Sequence, residues 1–295
     1  MDIINFSHHE FKKLKPYKLN RDIANTEAKL YIHVTKDRWN NIYELIKIFN
    51  IQEGEYFSNK LYTLNELMSL KEELTVKELI LPRKLVAVEG KICGYSQRFI
   101  NKNKNLQLVL QDPLVPNELK INLIYQVAKL IERIEKSRTC RKYKFYIGDL
   151  HEGNFIYRLE DNKVLSCDID SSKIGRNKSS KSKYLTNNDK LWDFPNKYPL
   201  DSSNKHISNY NTTIISYIYM LISYFGNINA SNLSTAQYYK YLQYLVDCGL
   251  QKEIVDTFKE IYYPHDNVFE PEIFKEIEPK VLKKIQEKNF YESIK

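Results

Sequence analysis

The N-terminal third of the chain is built from short apolar segments that predict a small sheet. Residues 42–49 form a half-apolar run with Lys47 in its middle, a pattern that favours a strand. Residues 84–95 contain two apolar runs joined by a glutamate–glycine pair, which predicts a hairpin. Between these segments, residues 61–70 carry apolar side chains at helical spacing, so a helix is expected there.

The rest of the chain has the longer periodicity of helices. One stripe of the segment Asn117–Lys136 is apolar, which predicts a long amphipathic helix. Residues 214–225 form the most apolar stretch, shorter than the roughly 20 residues that cross a bilayer, and predict a buried helix ending at Gly226. Further helices are expected over residues 234–248, 252–261 and 279–292. These patterns together predict an α+β protein.

A group of oxygen-bearing side chains follows the long amphipathic segment. Asp149 precedes Asn154 by five residues, and Asp168 follows fourteen residues later. Apolar runs at residues 145–147 and 155–157 predict short strands around the first two, and a polar turn at residues 160–162 precedes a further strand. Carboxylate and amide oxygens are ligands that Mg²⁺ accepts, and a further carboxylate can take a proton from an attacking hydroxyl. This spacing indicates phosphoryl transfer.

The segment Asp149-Leu150-His151-Glu152-Gly153-Asn154 resembles the catalytic loop of the protein-kinase-like superfamily. It lies between the protein-kinase form and the aminoglycoside-phosphotransferase form of that loop, and Asp168-Ile169-Asp170 stands where kinases have Asp-Phe-Gly. The resemblance implies a bilobal α+β fold within one functional unit. Residues 1–98 would form the small lobe, an antiparallel sheet with a helix, and residues 99–295 the larger, mainly helical lobe.

The resemblance also implies roles for individual side chains around a bound Mg²⁺. Asp149 would be the catalytic base, and Asn154 and Asp168 would hold the metal ion. Asp170, in place of the usual glycine, would be a further metal contact. His151 replaces the lysine of many protein kinases and would donate a hydrogen bond to the transferring phosphate.

ATP would be bound through Lys47, which corresponds to the lysine of the kinase Val-Ala-Ile-Lys strand. That cation would hold the α- and β-phosphates, and it needs a carboxylate to fix its ammonium group. Glu66, nineteen residues further on in the expected helix, is the favoured partner. Glu73 and Glu78 are the alternatives.

Two further segments would complete the nucleotide site. Arg98 and Phe99 lie in the connection between the lobes and would contact the adenine. Kinases cover the phosphates with a glycine-rich loop, but residues 23–31 contain no glycine. Ala24 is among the small residues that could form the turn, whereas Glu27 would add negative charge where the phosphates bind.

The favoured function is therefore ATP- and Mg²⁺-dependent phosphorylation of a hydroxyl, with serine or threonine of a protein as the preferred acceptor. A small-molecule phosphotransferase is an alternative, because Gly148, His151 and Gly153 match that form of the loop. Residues 100–116 leave little room for the helical insertion that such enzymes carry. A nucleotide-binding pseudokinase that serves as an interaction module, and a protein that binds no nucleotide, are further alternatives.

Composition limits the other classes of function. The chain has 295 residues, 42% of them hydrophobic, with a formal net charge of +8. Lysine and arginine are spread along the chain without a zinc-finger or basic-zipper pattern, so we expect no nucleic-acid partner. The densest basic stretch, residues 173–184, would be the activation segment. The sequence leaves the oligomeric state and the acceptor open.

The sequence also predicts a cytoplasmic location. Its four cysteines are scattered without metal-ligand spacing, which predicts reduced thiols. Residues 1–5 have neither a basic start nor a long apolar run, so we expect no signal peptide. No membrane association is expected.

Overall fold

The protein is a mixed α+β structure, as the sequence predicts. The computed structural model describes residues 2–17, 27–36, 41–175, 209–226, 228, 232–259, 269–288 and 290. The strands in these ranges are β1 (Ile3–Phe6), β2 (Lys15–Pro16), β3 (Ala28–Lys36), β4 (Asn41–Phe49), β5 (Pro82–Val88), β6 (Lys91–Arg98), β7 (Asn103–Asn105), β8 (Phe155–Arg158) and β9 (Lys163–Ser166). The α-helices are α1 (His8–Lys12), α2 (Gly54–Ser69), α3 (Leu106–Gln111), α4 (Asn117–Lys136), α5 (Arg138–Lys142), α6 (Tyr210–Gly226), α7 (Thr235–Cys248), α8 (Lys252–Lys259) and α9 (Pro279–Glu287). Short 3₁₀ turns cover Glu152–Asn154, Ile169–Ser171 and Pro271–Glu276.

Six strands form one sheet in the order β1-β5-β6-β4-β3-β2. Neighbours are antiparallel except β1 and β5, which run parallel. The predicted strand over residues 42–49 is confirmed as part of β4, in the interior of this sheet. Lys47 pairs with Leu30 on one side and Tyr95 on the other, so both neighbouring strands fix its position.

The two faces of the sheet carry different layers because side chains alternate along each strand. On the Lys47 face, Phe49 and Tyr95 pack against Phe57, Leu64 and Met68 of α2. The other face of β4 places Ile46 and Ile48 against a cluster that includes Phe6, Val86 and Cys93. Helix α2 is therefore held on the face that carries Lys47.

The predicted hairpin is confirmed as β5 and β6. Glu89 and Gly90 have φ angles of 47° and 78°, so both turn residues are left-handed. A two-residue turn with both residues left-handed matches the twist of the strands it joins. The hairpin brings β6 beside β4 and so places Tyr95 next to Lys47.

The C-terminal part is mainly helical around one large apolar core. Helix α4 spans the predicted residues, and its buried stripe includes Ile124, Val127 and Ile131. Helix α6 contains the predicted apolar stretch, and residue 227, which follows the predicted last residue Gly226, lies outside the described residues. None of the described helices is both long enough and apolar enough to cross a membrane.

Several boundaries differ from the predictions. Residues 145–147 are not a strand: Tyr146 forms only an isolated bridge to Lys173, and Phe145 and Ile147 are buried in the helical core. Their apolar character therefore reflects burial without a partner strand. Helix α9 begins as predicted but ends at Glu287. Helix α8 begins as predicted, and residues 260–261 of its predicted span lie outside the described residues. Most of the predicted basic segment, residues 176–184, lies outside the described residues.

The interior of the sheet has no room for an added side chain at Gly94. A Cβ atom there would lie 1.9 Å from the Lys47 carbonyl oxygen and 3.0 Å from Ile48 Cα. We expect Gly94→Ala to lower the free energy of unfolding by about 1–3 kcal/mol, since β6 and β4 would have to separate. Urea denaturation measures this.

Ser96→Ala is the matched control on the same strand. The buried Ser96 hydroxyl has no hydrogen-bond partner among the described residues, so its removal should leave the urea midpoint nearly unchanged. Equal losses of stability in the two variants would contradict the proposed steric cause.

Candidate active site

A cleft of about 430 Å³ lies between the six-stranded sheet and the loop that precedes β8. One part of its wall is apolar and includes Leu30, Leu45 and Ile156. The other part carries Lys47 together with the acidic and amide side chains that the sequence singled out. The cleft thus combines an apolar slot with a charged end, a common arrangement in small-molecule sites.

Lys47 is the centre of the charged end. Its Nζ atom lies 2.8 Å from Glu27 Oε1, 2.7 Å from Asp168 Oδ1 and 3.1 Å from Asp170 Oδ1. The same ammonium group lies 5.6 Å from the ring centre of Phe49 and 6.0 Å from that of Tyr95. The predicted convergence of Lys47 and Asp168 is therefore present, because β4 and the segment after β9 meet at this point.

A second lysine joins the cluster from α2. Lys60 is buried, and its Nζ atom lies 2.6 Å from Ser171 Oγ, 3.2 Å from Glu27 Oε1 and 3.4 Å from Asp170 Oδ2. Lys60 was not among the site residues predicted from the sequence. The available signal was periodicity, since Lys60 shares the apolar face of α2 with Phe57 and Leu64. A lysine within an apolar stripe indicates a buried charged partner.

The expected ion pair between Lys47 and Glu66 is not formed, and that prediction was wrong. Glu66 lies six residues after Lys60, roughly 120° away around the helix, so it does not share the face that meets the cluster. Glu27 takes the expected place beside Lys47.

The alternative partners of Lys47 are also elsewhere. Glu78 pairs with Arg133 of α4, and Glu73 lies 3.8 Å from Lys142. Neither carboxylate belongs to the cluster around Lys47.

Hairpin geometry explains how Asn154 and Asp168 come together. Strands β8 and β9 are antiparallel and pair Phe155 with Ser166. The residue just before β8 and the segment just after β9 are therefore neighbours, and the Cys167 N–H donates to the Asn154 carbonyl at 3.0 Å. The fourteen-residue spacing is thus a consequence of this hairpin, as the sequence indicated.

The loop from Asp149 to Asn154 is held by its own hydrogen bonds. Asn154 Nδ2 donates to the Asp149 carbonyl at 2.8 Å, which leaves the amide oxygen out of that bond. The Gly153 N–H donates to His151 Nδ1 at 3.0 Å, and His151 Nε2 lies 3.7 Å from Asp149 Oδ2. Because Nδ1 accepts, the neutral ring carries its proton on Nε2, the nitrogen nearer Asp149. Asn105 Nδ2 donates to the Gly153 carbonyl and anchors the loop.

Burial and neighbouring charges have opposite effects on the pKa of most groups in the cluster. Burial alone would raise the pKa of Asp168, but Lys47 lowers it to about 2. Burial and the neighbouring Asp168 charge raise the pKa of Asp170 to about 6. Burial would lower the pKa of Lys47, yet Asp168 and Asp170 hold it well above its ordinary value. Burial would raise the pKa of Glu27, but the two lysines hold it below its ordinary value.

Glu27, Asp168 and Asp170 could together hold a metal ion. One carboxylate oxygen of each lies within 4.8 Å of the others. Asp168 and Asp170 are predicted metal contacts, whereas Glu27 was expected only to oppose phosphate binding. All three are hard oxygen ligands of the kind that Mg²⁺ or Ca²⁺ accepts.

The predicted connection between the lobes borders the apolar end of the cleft. Arg98 and Phe99 both line it, and the ring of Tyr17 contacts Phe99 edge to face at 5.5 Å. Gln97 is buried in the same wall, and its Oε1 atom has no hydrogen-bond partner among the described residues. Ala24, the remaining predicted contact, lies outside the described residues.

The two aspartates should give opposite slopes to stability against pH. The folded-state pKa of Asp170 is raised, so its carboxyl group loses stabilising free energy as pH rises from about 4 to about 6. The pKa of Asp168 is lowered, so its contribution is present above about pH 4 and is lost as pH falls towards 2. Between pH 4 and 6 the free energy of unfolding of the wild type should fall by on the order of 3 kcal/mol, and we expect Asp170→Asn to abolish this fall. Urea denaturation at a series of pH values measures both.

Asp168→Asn provides the comparison for that experiment. It should flatten the profile below pH 4 and reduce, without abolishing, the slope between pH 4 and 6, because burial still raises the pKa of Asp170 when the Asp168 charge is gone. The same change of profile in both variants would show that the two carboxyl groups are not distinguished by their surroundings.

Comparison with known proteins adds no family to this description. No protein-family model matches the chain, and no curated protein matches it. The functional interpretation therefore depends on the geometry of the cleft and on the resemblance of the loop.

Proposed function

We propose that the protein is an ATP- and Mg²⁺-dependent phosphotransferase with a kinase-like bilobal fold, and that its acceptor is a serine or threonine hydroxyl of a protein. One observation carries the proposal. Lys47 contacts Asp168 at 2.7 Å in the cleft that Asp149 and Asn154 also line. A phosphate-binding cation, metal-binding oxygens and a candidate base thus converge on one space.

The order of elements supports the kinase-like interpretation. A strand with the lysine, a helix on its face, a hairpin, a connection and a long helix precede the catalytic loop, as in the resemblance. The hairpin and the helical part divide near residues 98 and 99, at the proposed lobe boundary.

The cleft fits a nucleotide in two respects. Its apolar wall suits a planar base. At its charged end, the same cleft is lined by the Lys47 cation, which could bind phosphate. Arg98 and Phe99 border the base end.

The donor set also fits Mg²⁺. Asp168, the amide oxygen of Asn154 and Asp170 are the residues that would hold it, with Glu27 within reach. Bound there, the ion would neutralise phosphate charge and orient the terminal phosphate. The low pKa of Asp168, about 2, keeps this carboxylate ionised at neutral pH.

Asp149 is the proposed base. Its loop is fixed by the Asn154 amide and by the contacts of His151, so the carboxylate has a defined position at the cleft. It would orient the acceptor hydroxyl and accept its proton, while His151 Nε2–H lies beside it as a donor to phosphate oxygen.

A protein acceptor is favoured over a small molecule by the segment between the connection and α4. Among residues 100–116, which are described throughout, only β7 and α3 are regular elements. No large helical insertion there closes a pocket around a small acceptor.

A nucleotide-binding pseudokinase is the second candidate, and Glu27 favours it. This carboxylate contacts both lysines, where phosphate oxygens would otherwise bind. Phosphates would have to displace Glu27 or share Lys47 with it.

Asp149→Asn tests the catalytic proposal. The variant should keep its fold and lose phosphate transfer from radiolabelled Mg·ATP to basic and acidic protein acceptors by at least about a hundredfold, because general-base catalysis contributes about that factor or more. Asp256→Asn, at a half-exposed position of α8 away from the cleft lining, is the matched control and should keep full transfer. Equal transfer by all three proteins would remove Asp149 from this role, and absence of transfer by the wild type with retained ATP binding would favour the pseudokinase.

Lys47→Met tests nucleotide binding separately. Mg·ATP at about a hundred times its dissociation constant should stabilise the wild type by about 2.7 kcal/mol, and the variant should lose most of this gain. Lys91→Met, at an exposed lysine of β6, should retain it. A thermal shift assay measures all three proteins, and an unshifted wild type would exclude both nucleotide-binding candidates.

A further inference from the structure

Lys60 is a buried charge that the proposed reaction does not use. Only 2% of its side chain is exposed, and it lies on the face of α2 that packs against the sheet. Burying an ammonium group is costly unless charged or polar partners compensate it. An apolar residue would suit this helix face better if Lys60 only filled space.

The partners of Lys60 are themselves the partners of Lys47. Asp170 Oδ2 lies 3.4 Å from Lys60 Nζ, while Asp170 Oδ1 lies 3.1 Å from Lys47 Nζ. Glu27 Oε1 is shared in the same way, at 3.2 Å from Lys60 and 2.8 Å from Lys47. Lys60 therefore contacts two of the three carboxylates that surround Lys47.

The contact with Ser171 links Lys60 to the turn after Asp168 in addition to the charged groups. Lys60 Nζ lies 2.6 Å from Ser171 Oγ, within the 3₁₀ turn Ile169–Ser171 that follows Asp168. The Asp168 side chain itself is not a partner of Lys60 at ion-pair distance, since its contact is with Lys47. Lys60 thus holds Asp168 in place through the turn, and its charge also helps to lower the pKa of Asp168 without a direct contact.

Tyr56 extends the arrangement by one helical turn. Its hydroxyl donates to Glu27 Oε2, and Lys60 Nζ lies 5.5 Å from the centre of its ring. Both side chains of α2 therefore hold Glu27, which immediately precedes β3. Helix α2 therefore contacts both the start of β3 and the turn after Asp168.

We propose that Lys60 is a positioning residue that couples α2 to the Asp168–Asp170 turn and thereby sets the geometry of Lys47 and Asp168. The charges are inverted relative to the expected pair: the helix supplies a lysine, and Glu27 and Asp170 supply the carboxylates. Displacement of α2 would move Lys60 away from the cluster and break its contacts with Glu27 and Asp170. This inference rests on the proposed phosphotransferase function of the cleft.

Steady-state kinetics of Lys60→Met test the inference. Lys60 is separated from the cleft by its carboxylates, so its loss should lower kcat at least about tenfold, equivalent to about 1.4 kcal/mol of barrier, while KM for Mg·ATP changes less than about threefold. Ser171→Ala removes only the 2.6 Å contact and should lower kcat by a smaller factor, about threefold. Ser171→Ala replaces Lys60→Met as the test variant if Lys60→Met fails to fold.

Lys120→Met is the matched control. Lys120 is also a buried lysine, but it lies on α4 outside the cluster. The variant is expected to leave kcat unchanged. A fall in kcat equal to that of Lys60→Met would show a general effect of removing a buried lysine and would overturn the inference. Unchanged kcat in Lys60→Met would overturn it too, with the proposed function intact.

A double-mutant cycle separates this inference from the proposed function, because it needs no activity. Urea midpoints are compared for Lys60→Met, Asp170→Asn and the double variant. If Lys60 holds Asp170, the double variant should be clearly more stable than the sum of the two single shifts predicts, whereas the shifts of independent sites add. Additive shifts would overturn the coupling. Non-additive shifts in a protein that neither binds ATP nor transfers phosphate would sustain the coupling and refute the function.

Discussion

The cleft depends on the contact between Lys47 and the carboxylates that follow β9. A buried ammonium group would be unstable alone, and buried aspartates would be equally unstable without a cation. Lys47, which is buried, and Asp168, whose side chain is 26% exposed, lie 2.7 Å apart and stabilise each other's charged forms. Because one comes from the sheet and the other from the β8–β9 hairpin, this contact also joins the two parts of the chain.

The excess of carboxylates explains the unequal behaviour of the two aspartates. Two lysines face three carboxylates, so the cluster carries one more negative than positive charge when all are ionised. Asp168 keeps the shortest contact with Lys47 and has a pKa of about 2. Asp170 is fully buried, lies next to the Asp168 charge and has a pKa of about 6. A divalent cation among the same oxygens would reverse the sign of the cluster, which is one physical reason for metal binding to favour this place.

Prediction from sequence succeeded where local pattern determines structure. The β4 strand, the β5–β6 hairpin and α4 followed from apolar spacing and a turn pair that favours left-handed residues. The loop residues and Asp168 were found because their spacing matches a hairpin that carries metal-binding oxygens. The strand at residues 145–147 failed, because an apolar run shows burial but does not reveal whether a partner strand is present.

The sequence by itself determined the kinds of element, the apolar faces and the residues with chemistry to offer. Only the tertiary structure decided which charges meet. Glu66 and Lys60 lie on one helix, six residues apart, and the rotation of α2 against the sheet turned Lys60 towards the cluster. That rotation is fixed by packing of Phe57, Leu64 and Met68 against the sheet. Ion pairs follow such packing, since the apolar contacts set the backbone positions from which charged side chains reach one another.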